Sequence, residues 1–259
     1  MRLATWNVNS VRTRLDRVLD FLAREQVDVL AMQETKVSDE AFPRDAFIDA
    51  GYRVVSHGLD QWNGVAVVSR VGAEAVERGF AGQPSWGTPA VVEARALAVT
   101  CAGVRVWSLY VPNGRALDDP HYTYKLTWLA ALRDAAAQWA DGPVALVGDW
   151  NVAPLDTDVW DAEVFAGRTH VTAAERDALA AFVEAGYTEV TREHVPGEHM
   201  YTFWDYQQMR FARDEGMRID LAYTSAVLTD QVTDVRIVRA ERKGAGPSDH
   251  VPVVIDIAR

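Results

Sequence analysis

Apolar residues in this chain fall into short runs, and most of those runs end in polar groups. Leu3 to Val8 predicts a strand that closes on Asn7, Asn9 and Ser10. Leu15, Val18, Leu19 and Leu22 then recur at helical spacing, which predicts an amphipathic helix from roughly Thr13 to Arg24. Val27 to Met32 predicts a buried strand ending in Gln33-Glu34-Thr35-Lys36. This β-α-β opening puts Asn7 and Glu34 at the carboxyl ends of two strands. If those strands are parallel, both groups lie at the sheet edge where catalytic residues of layered α/β folds gather.

Tyr52–His57 and Gly64–Arg70 predict a pair of strands, and Val91–Thr100 with Val104–Tyr110 predicts a hairpin around Ala102-Gly103. Pro120 opens a helix to about Ala140, with Leu126, Leu129, Leu132 and Ala136 on one face. Val144–Val147 is a further buried strand and delivers Gly148-Asp149-Trp150-Asn151. Thr172 with Glu175 forms a capping box for a helix through about Glu184, which Gly186 ends. Tyr201–Tyr206, Arg218–Tyr223, Val232–Val238 and Val251–Ile257 predict four more strands, with Asp249-His250 at the mouth of the last. Many strands among few helices predict an α+β chain of two packed sheets covered by helices, rather than one doubly wound sheet. No linker or shift in composition interrupts the sequence, so a single domain over 1–259 is expected.

The formal net charge of −11 argues against bulk non-specific nucleic-acid binding but leaves room for a local basic groove. Lys36, Lys125 and Lys243 are the only lysines. The remaining basic residues are arginines, which suit bidentate phosphate contacts, although a GC-rich coding sequence would give the same bias. One cysteine, Cys101, excludes an internal disulfide and a thiolate metal cluster. The opening run Met1–Trp6 is strand-like and no long apolar stretch follows, so a cytoplasmic chain without membrane contact is expected.

Taken singly, several polar residues have ordinary explanations. Glu34 could be a solvated strand end, and Asp149 a turn carboxylate. Asn7, Asn113, Asn151 and Tyr110 could be turn residues or a core phenol. Asp220 is harder to dismiss, because Ile219 and Leu221 flank it in a strand pattern where an unpaired carboxylate is costly. Asp249-His250 is harder still. Together, four carboxylates, a histidine, a tyrosine and three asparagines stand at the ends of apolar strands. That oxygen-rich set suits Mg²⁺ or Mn²⁺ rather than a structural Zn²⁺. It points to metal-assisted phosphoester hydrolysis.

Thr5-Trp6-Asn7-Val8-Asn9, Leu30 to Lys36, Tyr110-Val111-Pro112-Asn113-Gly114, Gly148-Asp149-Trp150-Asn151, Arg218-Ile219-Asp220 and Ser248-Asp249-His250 occur in that order. In these six motifs, over almost its whole length, the chain resembles the exonuclease III family of apurinic/apyrimidinic endonucleases. The resemblance implies a DNase I-like four-layer α/β/β/α sandwich with its active site at one edge. It implies Glu34 as the main metal ligand with Asn7 and Asp249 near the metal, and Asp149 and Asn151 at the metal and the attacking water. His250, oriented by Asp220, would meet the scissile phosphate, with Tyr110, Asn113 and Arg115 on phosphate oxygens or substrate. Phe203, Trp204, Met217 and Ile219 would wall the pocket for a flipped-out abasic sugar. Met217 departs from the Trp of the human family member, and Asn9 from the Asp of some members.

The implied activity is Mg²⁺-dependent (or Mn²⁺-dependent) cleavage of double-stranded DNA 5′ to abasic sites, with trimming of 3′ ends, by a monomer. Two alternatives are an RNA-directed or phosphomonoester-directed relative and a DNA-binding protein without turnover. Turnover in Mg²⁺ separates the second from the rest. The Gln33-Glu34-Thr35-Lys36 run, and the lack of a Cys-Asp-Arg run where Arg218-Ile219-Asp220 stands, favour the DNA-repair branch over inositol phosphatases.

Overall fold

The computed structural model describes residues 1–258. Twelve strands form two six-stranded mixed sheets. The first carries β1 (Arg2–Asn7), β2 (Val29–Gln33), β3 (Arg53–His57), β4 (Val65–Ser69), β11 (Val232–Ile237) and β12 (Val253–Ile257), in the order β11-β12-β1-β2-β4-β3. The second carries β5 (Glu74–Arg78), β6 (Ala96–Cys101), β7 (Val104–Tyr110), β8 (Val144–Asp149), β9 (Tyr187–Glu189) and β10 (Asp220–Ser225), in the order β5-β6-β7-β8-β10-β9.

The apolar runs are continuous because both faces of each sheet are covered. Leu3, Val29, Ala31, Val65 and Val67 meet Leu97, Val99, Val106, Ala145 and Val147 of the other sheet. Their alternate neighbours Trp6, Leu30, Met32, Ala66 and Val68 face Val18, Phe21 and Leu22 of helix α1 (Leu15–Arg24). On the far side, Trp107, Leu109 and Leu146 pack against Trp128, Leu129 and Leu132 of a helix over Pro120–Ala137 and Phe182 of one over Ala173–Glu184. The layers therefore run helix, sheet, sheet, helix, as the resemblance implies.

Two connections place the functional edge. β1 and β2 are parallel, with Asn7 opposite Gln33, and β7 and β8 are parallel, with Tyr110 opposite Asp149. β10 runs antiparallel to β8 and begins with Asp220 opposite Asp149. β12 runs antiparallel to β1, so the residues preceding it arrive at the same end. Carboxyl ends of four strands and the starts of two others thus meet. Gly148 makes the approach possible: at φ +152° a Cβ there would lie 1.9 Å from the Leu109 carbonyl oxygen.

Several strand expectations are corrected. Tyr201–Tyr206 is not a strand; Phe203 makes only isolated bridges to Met217 and His250. Its aromatic residues reflect a small packed cluster of Tyr201, Trp204 and Val251, not a pleated surface. The strand expected over Val91–Thr100 begins only at Ala96, because Trp86 and Val91 bridge in a separate turn. β5 has no apolar pattern to announce it, since most of its side chains are exposed at the sheet edge. Among the described residues no helix is long and apolar enough to cross a membrane.

Candidate active site

Asn7, at the end of β1, holds the centre. Its side-chain amide donates to Glu34 Oε1 at 2.8 Å and to Asp149 Oδ2 at 2.9 Å, while its oxygen accepts the Asn9 N–H at 3.0 Å. One neutral amide therefore holds two carboxylates together. Glu34 follows β2 in a left-handed conformation, φ +49°, which a non-glycine residue adopts only where its surroundings hold it. Lys36 Nζ lies 2.8 Å from Glu34 Oε2. Burial works to raise the Glu34 pKa, but the Lys36 charge and the Asn7 amide outweigh it and leave the carboxyl below its ordinary value.

Asp149 ends β8 and is fully buried; its other oxygen accepts the Asn151 N–H at 2.9 Å. Burial pushes its pKa up to about 7, with Asp220 and Glu34 adding repulsion and His250 opposing them. His250, also buried, sits with Nδ1 2.8 Å from Asp220 Oδ2 and Nε2 3.7 Å from Asp149 Oδ2. Burial disfavours the charge on this ring, yet Asp220 and Asp149 together raise its pKa to about 10. The ring is thus held as a cation between two carboxylates. The second Asp220 oxygen, Oδ1, is buried with no hydrogen-bond partner among the described residues.

Tyr110 ends β7 beside this line, with the Arg95 guanidinium 4.8 Å from its ring centre. Burial and the neighbouring Glu34 charge hold its phenol well above the ordinary value, so it stays protonated. Asn113 is exposed and donates to Asn151 Oδ1 at 3.2 Å. Asp249 faces away from its neighbour His250 and accepts from the Asn9 amide at 3.0 Å. Lys36 also reaches Asn9 Oδ1, at 2.5 Å.

Beside the carboxylates lies a cavity of about 750 Å³, lined by Asn113, Arg115, Phe165, His170, Phe203 and Met217 among others. Phe203 and Met217 line this cavity, with Ile219 packed against Met217 in the same apolar cluster. Trp204 does not. It is wholly buried, packs edge-on to Tyr201 and Phe211, and donates its indole N–H to Asp214 at 3.1 Å. Of these adjacent residues, Phe203 lines the cavity while Trp204 packs into a buried cluster with Tyr201 and Val251.

His170 was not anticipated. It adopts φ +81°, and its ring bridges the Asn151 carbonyl, 2.5 Å from Nδ1, and the Asn113 amide, 3.4 Å from Nε2. A lone histidine in a polar loop carries no sequence signal. Lys125 carries a signal that the apolar pattern alone does not flag: it stands one turn before Trp128 and Leu129 and two before Leu132, which puts a lysine on the buried helix face.

Glu34, Asp149 and His250 each offer a ligand atom within 4.8 Å of the others. His250 is protonated and held by Asp220, which leaves the two carboxylates as the anionic donors. Half-buried Glu34 and buried Asp149 share a single amide, and burial pushes Asp149 up to about 7, so the pair forms an oxygen-donor site that a further positive charge would stabilise. That fits a hard divalent cation.

A family model described as the endonuclease/exonuclease/phosphatase family matches residues 4–250. A Bacillus subtilis protein named exodeoxyribonuclease is 30% identical over 264 residues, covering 99% of each chain. Among solved structures, a 3′ phosphatase, NExo, from Neisseria bound to product DNA hairpin matches with a TM-score of 0.95 and 35% identity over 100% of both chains. An AP endonuclease from Archaeoglobus fulgidus matches with a TM-score of 0.92 and 33% identity over 99% of both.

Proposed function

This chain belongs to the endonuclease/exonuclease/phosphatase family, and from that premise we propose that it cleaves duplex DNA 5′ to abasic sites and removes nucleotides or blocking groups from 3′ ends. It is a nuclease of DNA repair, hydrolysing phosphoester bonds. The reading adds that it acts in the cytoplasm, as a monomer, with residues 1–259 forming one domain.

The observation that carries the proposal is the line Asp220–His250–Asp149, with Glu34 beside it, next to a cavity whose Phe203 ring packs 4.9 Å from the His250 ring. A phosphoryl group needs donors on its oxygens more than it needs covalent help. His250, kept charged by Asp220, donates to the scissile phosphate, and the protonated phenol of Tyr110 and the amide of Asn113 hold its other oxygens. Asp149, with a pKa near working pH, takes the proton of the attacking water, and Asn151 places that water. Glu34, with Asp149 and with Asn7, Asn151 and Asp249 nearby, would hold Mg²⁺ or Mn²⁺, which when bound supplies Lewis-acid stabilisation of charge on the phosphate. Phe203 and Met217, with Ile219 packed behind Met217, exclude an intact base by size and admit a sugar without one.

The test is an end-labelled duplex carrying one abasic-site analogue, incubated with the protein in Mg²⁺ and in EDTA. A single metal-dependent cut 5′ to the lesion, lost in Glu34→Gln, supports the reading. Shortening of 3′ ends alone narrows it to a 3′-end enzyme and directs attention to Met217 and His170. No change to DNA in Mg²⁺ or Mn²⁺ overturns it in favour of an RNA or phosphomonoester substrate.

A further inference from the structure

Behind the wall that presents Asn113 and Asn151 lies an amine that no substrate can touch. Lys125 is fully buried. Its Nζ lies 2.6 Å from the Asn151 carbonyl oxygen, 3.2 Å from that of Asn113, 3.3 Å from Thr169 Oγ1 and 2.5 Å from Glu175 Oε1. Three N–H donors thus face four acceptors, two of them the main-chain carbonyls of the asparagines that line the site. Glu175 extends the grip. The same Oε1 accepts from Thr169 Oγ1 at 2.7 Å and the His170 N–H at 2.9 Å, and Oε2 accepts from the Thr172 N–H at 3.0 Å.

One ion pair therefore joins three loops: the turn after β7, the turn after β8 and the approach to the helix Ala173–Glu184. Those loops need holding. Asn151 and His170 sit at φ +51° and +81°. Gly114, at φ +92°, is so close that a Cβ there would lie 2.6 Å from Thr169 Oγ1 and 3.1 Å from Lys125 Cδ. An apolar pair of similar volume is often as stabilising as a buried ion pair. What an apolar pair cannot do is bind carbonyl oxygens.

We infer that Lys125, with Glu175 as its counter-ion, is a positioning residue for hydrolysis, fixing the Asn113 and Asn151 carbonyls so that the Asn113 amide stays aimed at the phosphate and the Asn151 side chain at the attacking water. The inference rests on the functional reading above for what those side chains do.

The experiment compares the unmodified protein with Lys125→Met/Glu175→Gln, which removes both charges, and with Glu175→Gln alone. Glu241→Gln is the control, since it disturbs another buried carboxylate, one paired with the more exposed Arg17 and Arg24 elsewhere. Turnover of the abasic and 3′-phosphate duplexes is measured with the side-chain amide NMR signals of Asn113 and Asn151. The double variant is expected to lose about 100-fold in kcat with KM changed less than about threefold, as misplacement of a bound group predicts. Glu175→Gln is expected to lose about tenfold on the same argument and to stand in for the double variant should that one not fold. The two amide signals should move in both variants and not in Glu241→Gln.

Unmoved amide signals, undiminished kcat in a folded variant, or an equal kcat loss in Glu241→Gln would overturn the assignment. If the unmodified protein turns over neither duplex while the amide signals still depend on Lys125, the functional reading fails and the clamp stands.

Discussion

Two buried charge clusters lie within a few residues of each other and are built on opposite plans. Arg218 is 1% exposed and sits among Asp158, Glu189 and, through Asp158, Arg192. Its guanidinium meets Asp158 Oδ1 at 2.8 Å and Glu189 Oε2 at 2.8 Å, and two arginines balance two carboxylates. Two positions later, Asp220 begins the other cluster. There the three carboxylates Asp220, Asp149 and Glu34 face only His250 and Lys36, the Asn7 amide joins Glu34 to Asp149, and one Asp220 oxygen has no partner among the described residues. Balanced charge fixes structure, whereas an anionic excess is tolerable only where a cation or a reacting group completes it.

The comparison breaks if substitutions in the two clusters have like effects. Asp149→Asn is expected to lower kcat by roughly 10²- to 10⁴-fold, the range for removing a general base, while leaving the urea midpoint near its original value. EDTA should mimic that loss in the unmodified protein without unfolding it. Arg218→Met is expected to do the reverse in kind, costing about 3–5 kcal/mol in urea unfolding because Asp158 is left buried without its main partner. An Asp149→Asn protein that unfolds, or an Arg218→Met protein that does not, would merge the clusters into one.

His121 sharpens the contrast by being buried and neutral. Its Nδ1 accepts the Gly114 N–H at 3.1 Å, and burial, then Arg95 and Arg115, pushes its pKa down to about 4 from 6.5. A depressed folded pKa contributes stability that is complete above pH 6.5 and is lost as the pH falls toward 4. The melting temperature should therefore fall across that window, and His121→Gln should flatten the fall. An unchanged slope would show that the ring does not bear the proton linkage. The smallest effect belongs to the cavity wall. Met217→Leu conserves volume and is expected to cost less than about 1.5 kcal/mol, while shifting the ratio of abasic cleavage to 3′ trimming a few-fold, which the end-labelled duplexes measure.

What the sequence discloses follows from the same division. Glu34, Asp149, Asp220 and His250 were legible because each interrupts or closes an apolar run, and the parallel pairing of β1 with β2 brings Asn7 and Glu34 together as their positions imply. Trp204 was misplaced because aromatic content does not reveal which of two adjacent side chains faces solvent. Lys125 and His170 escaped notice because their partners come from three separate loops, and closeness between loops leaves no periodic trace. β5 escaped for the opposite reason, being an exposed edge strand whose ladder bonds to β6 do not depend on its side chains.

β1 lies between β2 and β12, so two strands far apart in the described chain close on either side of it. Its partner on one side, β2, follows within some thirty residues, but the other side stays open until β12 has left the ribosome. Asp249 and His250 immediately precede β12, so they take their places only when that seam closes. During synthesis the chain can gather Glu34 and Asp149 yet lacks the histidine that completes them. Closing that seam and completing the carboxylate–histidine constellation are thus one event, and a chain cut before Asp249 lacks both.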